Sequence, residues 1–241
     1  MMPPFPGCTG HGVRIAVVDS GAHPGHPHIA AEGLGRGVLV LPDGALMTGD
    51  AADVIDRLGH GTAVTAAIQE NAPGAICLPV RVFRDALRAS SAALIAAIRW
   101  AIEEQADIVN LSLGSMNEAH RAAFAQVTDE AREAGVLLVA AREANGLACY
   151  PGVLPGVLGV GVDWDVPRDR YRTAMVDEAA LLYASGYPRP IPGVPAQRNL
   201  YGVSFAVAQV SGFAALAREA GGKRDTNAIL NALVAEASRL F

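Results

Sequence analysis

Residues 13–21 read Val-Arg-Ile-Ala-Val-Val-Asp-Ser-Gly, and this stretch decides the fold. A short run of mostly β-branched apolar residues predicts a strand, and its lack of polar alternation predicts burial on both faces. Further short runs rich in Val, Ile and Leu predict strands at residues 37–41, 75–82, 107–113, 136–141 and 157–162. Strands of this kind are typical of a parallel sheet that is covered on both sides.

Stretches with helical periodicity separate and follow these runs. The predicted helices cover residues 90–105, 117–134, 203–220 and 226–239. Ser90 or Ser91 caps the first, Asn117 caps the second, and Gly135 ends the second. Residues 163–200 are irregular and are predicted to form loops, with room for a hairpin. The alternation predicts an α/β fold with a mostly parallel central sheet flanked by helices.

The composition excludes several classes of protein. Apolar residues make up 51% and charged residues 18% of the 241, which excludes a disordered chain. The net charge is −5 and no run of Lys or Arg occurs, so nucleic acid is not expected as a partner. No apolar run approaches the ~18–20 residues that span a bilayer, so a membrane is not expected either. We expect one domain over residues 1–241, with residues 1–12 as an N-terminal extension.

The cysteines favour a reducing compartment. Cys8, Cys77 and Cys149 are odd in number and far apart, unlike a secreted disulfide framework. Residues 1–7 carry neither the basic nor the long apolar segment of a signal peptide. We therefore expect a cytoplasmic protein.

Three polar residues stand where a predicted strand ends or a predicted helix begins. Asp19 ends the first strand, at the edge where open α/β sheets place their sites, although a turn aspartate is an equally good reading. His60 begins an apolar helix, where a capping or core histidine is the more common occurrence. Ser204 begins another apolar helix, where serine is usually an N-cap.

Taken together, these residues point to nucleophilic catalysis. Asp19, His60 and Ser204 follow one another in the order of one of the convergent Ser-His-Asp triads. A serine hydroxyl is a weak nucleophile unless an imidazole takes its proton, and a carboxylate fixes the imidazole tautomer. The three residues need not be close in sequence, because the fold brings them together.

At these residues the chain resembles the subtilisin-like serine proteases, from about residue 14 to residue 218. The matching motifs are residues 15–21 with His26-Pro27, residues 60–62, residues 97–102, residues 108–114 and residues 202–206. The resemblance implies a three-layer subtilisin-like fold. It also implies an endopeptidase in which Ser204 attacks the peptide carbonyl, His60 acts as general base and then acid, and Asp19 orients His60.

The resemblance also implies where an extended peptide substrate binds. Ser112, Leu113 and Gly114 would pair with the substrate backbone and line the pocket for the residue before the scissile bond. Leu87, Arg88 and Ala89 would form the opposite edge strand. Ala140, Ala141 and Arg142 would complete the pocket wall. Such β-augmentation holds a peptide in an extended conformation.

The chain departs from the family pattern beside the predicted nucleophile. The usual Gly-Thr-Ser-Met-Ala-x-Pro has Val203 for Thr, Phe205 for Met and Ala208 for Pro. Glu143 occupies the position of the asparagine that donates to the oxyanion, so either Asn145 supplies the amide from a reshaped loop or the donor is missing.

Arg142 replaces the glycine that leaves room in the family's pocket. A guanidinium there would favour small or acidic residues before the cut. The alternative is that Arg142 and Glu143 pair with each other at the surface.

We predict no cofactor. The family's frequent His-Pro-Asp reads His26-Pro27-His28, and no calcium loop is recognisable. His23, His26 and His28 lack a fourth ligand for zinc, so a polar surface turn is the better interpretation. Cys149 lies near the predicted pocket wall, where a buried, unreactive thiol is expected.

The sequence thus predicts a serine endopeptidase that acts on a peptide or protein, with a narrow processing role. The Ser-Phe-Ala variant resembles proteases that trim ribosomally made natural-product precursors. The rival prediction is a pseudoprotease that binds a peptide in the same groove without cutting it. Acyl transfer to an amine in place of water would use the same residues.

Overall fold

The computed structural model of the chain describes residues 3–47, 51–144, 146–176, 179–195, 198–222 and 225–240. Its strands are β1 (Arg14–Asp19), β2 (Val38–Val40), β3 (Leu46–Met47), β4 (Ile76–Arg81), β5 (Ile108–Leu111), β6 (Leu137–Ala141), β7 (Glu143–Ala144), β8 (Leu147–Ala148), β9 (Val157–Val162), β10 (Tyr171–Val176) and β11 (Ala179–Ala184). Its α-helices are α1 (His60–Asn71), α2 (Ser91–Glu103), α3 (Arg121–Glu133), α4 (Val203–Gly221) and α5 (Thr226–Ala237).

Over the described residues, nine strands form one sheet in the order β10-β11-β9-β6-β5-β1-β4-β2-β3. The central strands, from β11 to β2, pair in parallel with their neighbours. Only the edge strands β10 and β3 pair antiparallel. Strand β1 lies between β4 and β5, so its carboxyl end lies well inside the sheet.

Both faces of the sheet are buried, as the apolar runs predicted. In β1, Ile15 and Val17 belong to one core, which also contains residues of α1, α4 and α5. Ala16 and Val18 belong to a second core with residues of α2 and α3. The chain is therefore a three-layer α/β fold with a mostly parallel central sheet, which confirms the predicted fold class.

The predicted elements agree with the observed ones to within a few residues. Six predicted strands correspond to β1, β2, β4, β5, β6 and β9, and the irregular stretch contains the hairpin β10–β11. Ser90 caps α2, since its hydroxyl accepts a hydrogen bond from the Ala93 N–H at 3.0 Å. Asn117 caps a short 3₁₀ turn, Glu118–His120, that precedes α3, whereas a cap of the helix itself was predicted.

The segment before β1 is attached to the helical layer. One carboxylate oxygen of Glu219 accepts hydrogen bonds from the backbone N–H groups of Thr9, Gly10 and His11 at 2.7, 2.7 and 3.1 Å. Phe5 packs against the core of α1, α4 and α5. Within the part of the chain that the structure describes, no helix combines the length and the apolar character needed to cross a membrane.

Candidate active site

The carboxyl end of β1 and the start of α1 bring Asp19 and His60 together. Asp19 is the last residue of β1 and its side chain is fully buried, while His60 is the first residue of α1 and is 12% exposed. His60 Nδ1 lies 2.7 Å from Asp19 Oδ1. A carboxylate can only accept, so Nδ1 donates, and in the neutral ring Nε2 is left as the proton acceptor.

A glycine allows this close approach. A Cβ at Gly61 would lie 2.3 Å from the Gly21 carbonyl oxygen and 3.1 Å from Asp19 Oδ1. The Gly61 N–H also donates to Ser20 Oγ at 2.8 Å, which ties the first turn of α1 to the residue after Asp19. The backbone contact therefore sets the distance between β1 and α1, and with it the distance between the two side chains.

A second carboxylate orders the loop that carries His60. Asp56 is 6% exposed, and Oδ1 accepts from the N–H groups of Leu58 and Gly59 at 2.8 and 2.9 Å. Its Oδ2 accepts from the N–H and the hydroxyl of Thr62 at 2.8 and 2.7 Å. Burial alone would raise the pKa of Asp56, but these hydrogen bonds lower it below its ordinary value.

The surroundings favour the protonated form of His60. Burial alone would lower its pKa, but the hydrogen bond and charge of Asp19, together with the charge of Asp56, raise it above the ordinary value. The imidazole is thus a stronger base than a free histidine, and an imidazolium that forms during a reaction is stabilised in place.

Helix α4 places Ser204 in its first turn. The N-cap, Gly202, has φ +146°, a conformation that side-chain-bearing residues avoid, and it turns the chain sharply into the helix. Ser204 Oγ donates to the Ser112 carbonyl oxygen at 3.2 Å. No hydrogen bond joins Ser204 to His60 in the described structure. The ring of Phe205, the next residue, packs against His60 with centroids 5.6 Å apart.

A cavity of about 770 Å³ opens beside Ser204. Its walls include Leu87, Arg142 and Glu143, which the sequence placed near the substrate, and also Trp164 and Tyr183. We call this space the acyl-side cavity. The carboxylate of Glu143 therefore lies in this cavity wall, at the sequence position where the family has the asparagine that donates to the oxyanion.

Several predicted pocket residues are not arranged as the resemblance implied. Leu87–Ala89 form no strand, because the Arg88 N–H bonds back to the Ala86 carbonyl at 2.8 Å and no neighbouring strand offers a partner in the described structure. Ala140 and Ala141 are buried in the two cores, since β6 is covered on both faces, so the cavity is lined at this point by Arg142, the residue after β6.

The substrate-lining segment after β5 continues past the strand. Ser112 is 7% exposed and contacts Ser204, whereas Leu113 and Gly114 are half-buried and do not line the acyl-side cavity as described. Gly114 packs against the Sγ atom of Cys149 and the carbonyl of Tyr150. Burial raises the pKa of the Cys149 thiol, which keeps it protonated.

Asn145, the alternative oxyanion donor, lies outside the described residues. His23, His26 and His28 line a common pocket, but no group of three or more His, Cys, Asp or Glu side chains with metal-binding geometry occurs among the residues with described positions.

Sequence reasoning missed Asp56 and two arginines, Arg57 and Arg189, that line the pocket of the three histidines. Asp56 had a usable signal, because an aspartate shortly before an apolar helix is a candidate cap. Arg189 lies in a proline-rich stretch with no periodic pattern, so only the fold reveals its position.

Comparison with known proteins decides the family. The model of the subtilase family, Peptidase S8, matches residues 10–162, which contain Asp19 and His60. The chain belongs to the subtilase family. Relatives of this subtilase include subtilisin E of Bacillus subtilis, 28% identical over 233 residues that make up 87% of this chain and 56% of subtilisin E.

Two further comparisons agree with the assignment to the subtilase family. Subtilisin Savinase of Lederbergia lenta is 28% identical over 232 residues, covering 88% of this chain and 78% of Savinase. The crystal structure of a cold-adapted subtilisin-like serine proteinase superposes with a TM-score of 0.71 and 20% identity, covering 95% of this subtilase and 83% of that protein. The last likeness shows a shared fold. This chain spans little more than half the length of the first curated relatives it matches.

Proposed function

We propose that the chain is a serine endopeptidase in which Ser204, His60 and Asp19 act as the triad. The observation that carries this proposal is the buried hydrogen bond of 2.7 Å between Asp19 and His60, whose ring packs against Phe205, the residue that follows Ser204 in the first turn of α4. An orphan buried carboxylate is costly, and pairing it with an imidazole whose Nε2 accepts protons is the arrangement that activates a hydroxyl.

Each residue has one role in the cycle. His60 Nε2 takes the Ser204 proton as Oγ bonds to the peptide carbonyl carbon, and the carbonyl electrons move to oxygen. The intermediate collapses by breaking the C–N bond, and His60 gives its proton to the leaving amine. Water then attacks the acyl-enzyme with His60 as base, which releases the acid and restores Ser204.

The developing oxyanion needs donors. The N–H of Ser204 lies in the first turn of α4, where backbone N–H groups lack helical partners and the helix dipole favours negative charge. We assign it one hydrogen bond to the oxyanion. Glu143 in the acyl-side cavity opposes the same charge, so this subtilase works with a weakened oxyanion hole.

The acyl-side cavity supports a narrow choice of substrate. Arg142 and Glu143 bring opposite charges to its wall beside Ser204, where small or acidic residues before the cut fit better than large aromatic ones. This supports a processing role on a specific peptide or protein, with precursors of ribosomal natural products as the substrate class. A library cleaved by wild type and by Arg142→Gly tests it, since the glycine variant should shift towards larger apolar residues.

The thiols support a reducing compartment, and we propose the cytoplasm. Cys8, Cys77 and Cys149 are all free, and the last two are buried. Fractionation of the native host tests this assignment, and recovery outside the cytoplasmic fraction would contradict it.

Hydrolysis of peptidyl p-nitroanilides and thioesters tests the peptidase function directly. We expect turnover that His60→Ala and Ser204→Ala abolish and that Asp19→Asn lowers by about 10⁴-fold. Turnover that survives in Ser204→Ala would contradict the assignment of the nucleophile.

One observation favours the second candidate, a pseudoprotease that binds peptides. The Ser204 hydroxyl donates to the Ser112 carbonyl and must rotate away from it before His60 can take its proton. Such bonds often rearrange when substrate binds, so we rank this function second. Peptide binding without turnover, equal in wild type and Ser204→Ala, would establish it.

A further inference from the structure

A second pocket, of about 250 Å³, lies on the histidine side of the candidate triad. We call it the leaving-group pocket, and define it by His23, His26, His28, Arg57, Arg189 and Leu200. Residues on both sides of His60, Gly59 and Thr62, also line it, as does the turn that leads to Ser204. It shares no described lining residue with the acyl-side cavity.

The position of the pocket indicates that it faces the part of the substrate that follows the scissile bond. In the proposed function, His60 hands its proton to the amine of the leaving segment, so that segment lies against the loop that carries His60. The acyl half stays on Ser204, next to Ser112 and the acyl-side cavity. Residues after the scissile bond therefore pass over the leaving-group pocket.

The histidines of this pocket present donors. His23 Nδ1 accepts a hydrogen bond from the Gly25 N–H at 3.2 Å, and His26 Nδ1 accepts one from the His28 N–H at 3.2 Å. A ring whose Nδ1 accepts carries its proton on Nε2 when neutral. Both rings are exposed and so offer an N–H group to a ligand.

The charges of the pocket are mostly positive. The Arg57 guanidinium is exposed and makes no ion pair or hydrogen bond with the described residues. Arg189 donates to the His28 carbonyl at 3.2 Å, and its Nε lies 4.0 Å from Glu70. Glu70 is also held by both terminal nitrogens of Arg168. The charged residues that line the pocket are thus Arg57, Arg189 and Asp56, and Glu70 with its partner Arg168 lies behind Arg189.

The oxygens of these two carboxylates already accept hydrogen bonds. Asp56 accepts from Leu58, Gly59 and Thr62, as described above. Burial and the charge of Arg189 lower the pKa of His28, so this ring stays neutral near pH 7 and adds no positive charge there. The described lining residues therefore place no carboxylate oxygen in hydrogen-bond or ion-pair contact with the exposed Arg57 guanidinium.

We propose that the leaving-group pocket binds a carboxylate of the substrate, placed one or two residues after the scissile bond. The carboxylate belongs either to an Asp or Glu side chain or to the C-terminus of a short leaving segment. Arg57 and the His23 and His26 N–H groups supply the donors, and a guanidinium fork matches a carboxylate in geometry and charge. The proposal rests on the endopeptidase function for its orientation.

Acyl transfer tests the pocket without knowledge of the natural substrate. A peptidyl thioester forms the acyl-enzyme, and added amines compete with water from the leaving-group side. The capture rates of glycyl-aspartamide and glycyl-asparaginamide are compared to detect recognition of a side-chain carboxylate. Those of glycyl-glycine and glycyl-glycinamide are compared to detect recognition of a C-terminal carboxylate. We expect the carboxylate member of at least one pair to be captured about 10-fold more efficiently, less so at high salt.

Arg57→Gln should reduce this preference by about threefold. Its matched control is Arg121→Gln, which removes the same charge from an exposed position at the start of α3 in the opposite helical layer. Equal capture of both members of each pair, or an equal effect of the two variants, would overturn the proposal.

If no acyl-enzyme forms, the proposed function fails and the pocket is tested separately. Titration with the same four compounds, followed by the imidazole NMR signals of His23 and His26, then measures binding alone. Tighter binding of a carboxylate member, weakened by Arg57→Gln, would support the pocket. Equal affinities would overturn it.

Discussion

Replacement of Gly61 by alanine tests whether backbone contact sets the Asp19–His60 geometry. The new Cβ would lie 2.3 Å from the Gly21 carbonyl oxygen. A carbon and an oxygen in close contact stay ~3.3 Å or more apart, so β1 and α1 must separate by about 1 Å. The closest neighbour is a backbone atom, which cannot rotate out of the way, and the Asp19 carboxylate is held by its hydrogen bond to His60.

Moving β1 and α1 apart lowers both the free energy of unfolding and the rate of acylation. Overpacking of this kind costs ~1–3 kcal/mol of unfolding free energy, and for a chain of this size each kcal/mol lowers Tm by about 2–4 °C. A displacement of ~1 Å between reacting groups lowers rates by about 100-fold. We therefore expect Gly61→Ala to fold with a Tm several degrees lower and to acylate about 100-fold more slowly.

The assay is the rate of acylation by a peptidyl thioester, measured at least 15 °C below the melting temperature found by circular dichroism. Gly221→Ala is the matched control, because a Cβ there meets nothing within 4 Å at the end of α4. The control should keep its rate and its Tm. A Gly61→Ala protein with the rate and Tm of wild type would refute the reasoning.

Further predictions concern charge and burial. The acylation rate should rise with pH through a midpoint above 6.5, and Asp56→Asn should lower that midpoint, because the Asp56 charge helps to raise the pKa of His60. Since the pKa of His60 is higher in the folded state, the Asp19–His60 pair stabilises the fold below about pH 6.5, and this stabilisation is lost as the pH rises through the folded-state pKa. Thermal melts recorded across this pH range measure the loss. Glu143→Asn should raise kcat by up to ~10²-fold with little change in KM, and an unchanged kcat would remove Glu143 from the oxyanion hole. Cys77 and Cys149 should resist iodoacetamide until urea is added, because burial raises the pKa of both thiols, that of Cys77 to about 12, and mass spectrometry of the native protein counts the modified sites.

The sheet could be predicted because its strands are buried on both faces. Runs such as residues 13–18 need no tertiary information to be recognised, and the turn at Asp19 follows from their ends. The pairing of Asp19 with His60 was predicted differently, from the order of the three candidate triad residues and the resemblance to the subtilisin-like proteases, because His60 begins a helix and no strand pattern places it.

Features that depend on two distant segments could not be predicted. The hairpin β7–β8 is only a few residues long and has no alternation, so local patterns do not reveal it. Arg189 reaches the pocket of His23 and His26 only because the fold brings residues far apart in sequence together. The hydrogen bond from Ser204 to Ser112 likewise joins two elements 92 residues apart.

Reaction with a fluorophosphonate tests the central claim most directly, because the probe phosphonylates only an activated hydroxyl. The folded protein should gain the mass of one adduct, and peptide mapping should place it on Ser204. His60→Ala and Ser204→Ala should remain unmodified, and Asp19→Asn should react weakly. An adduct on another serine, or none on the folded wild-type protein, would contradict the account.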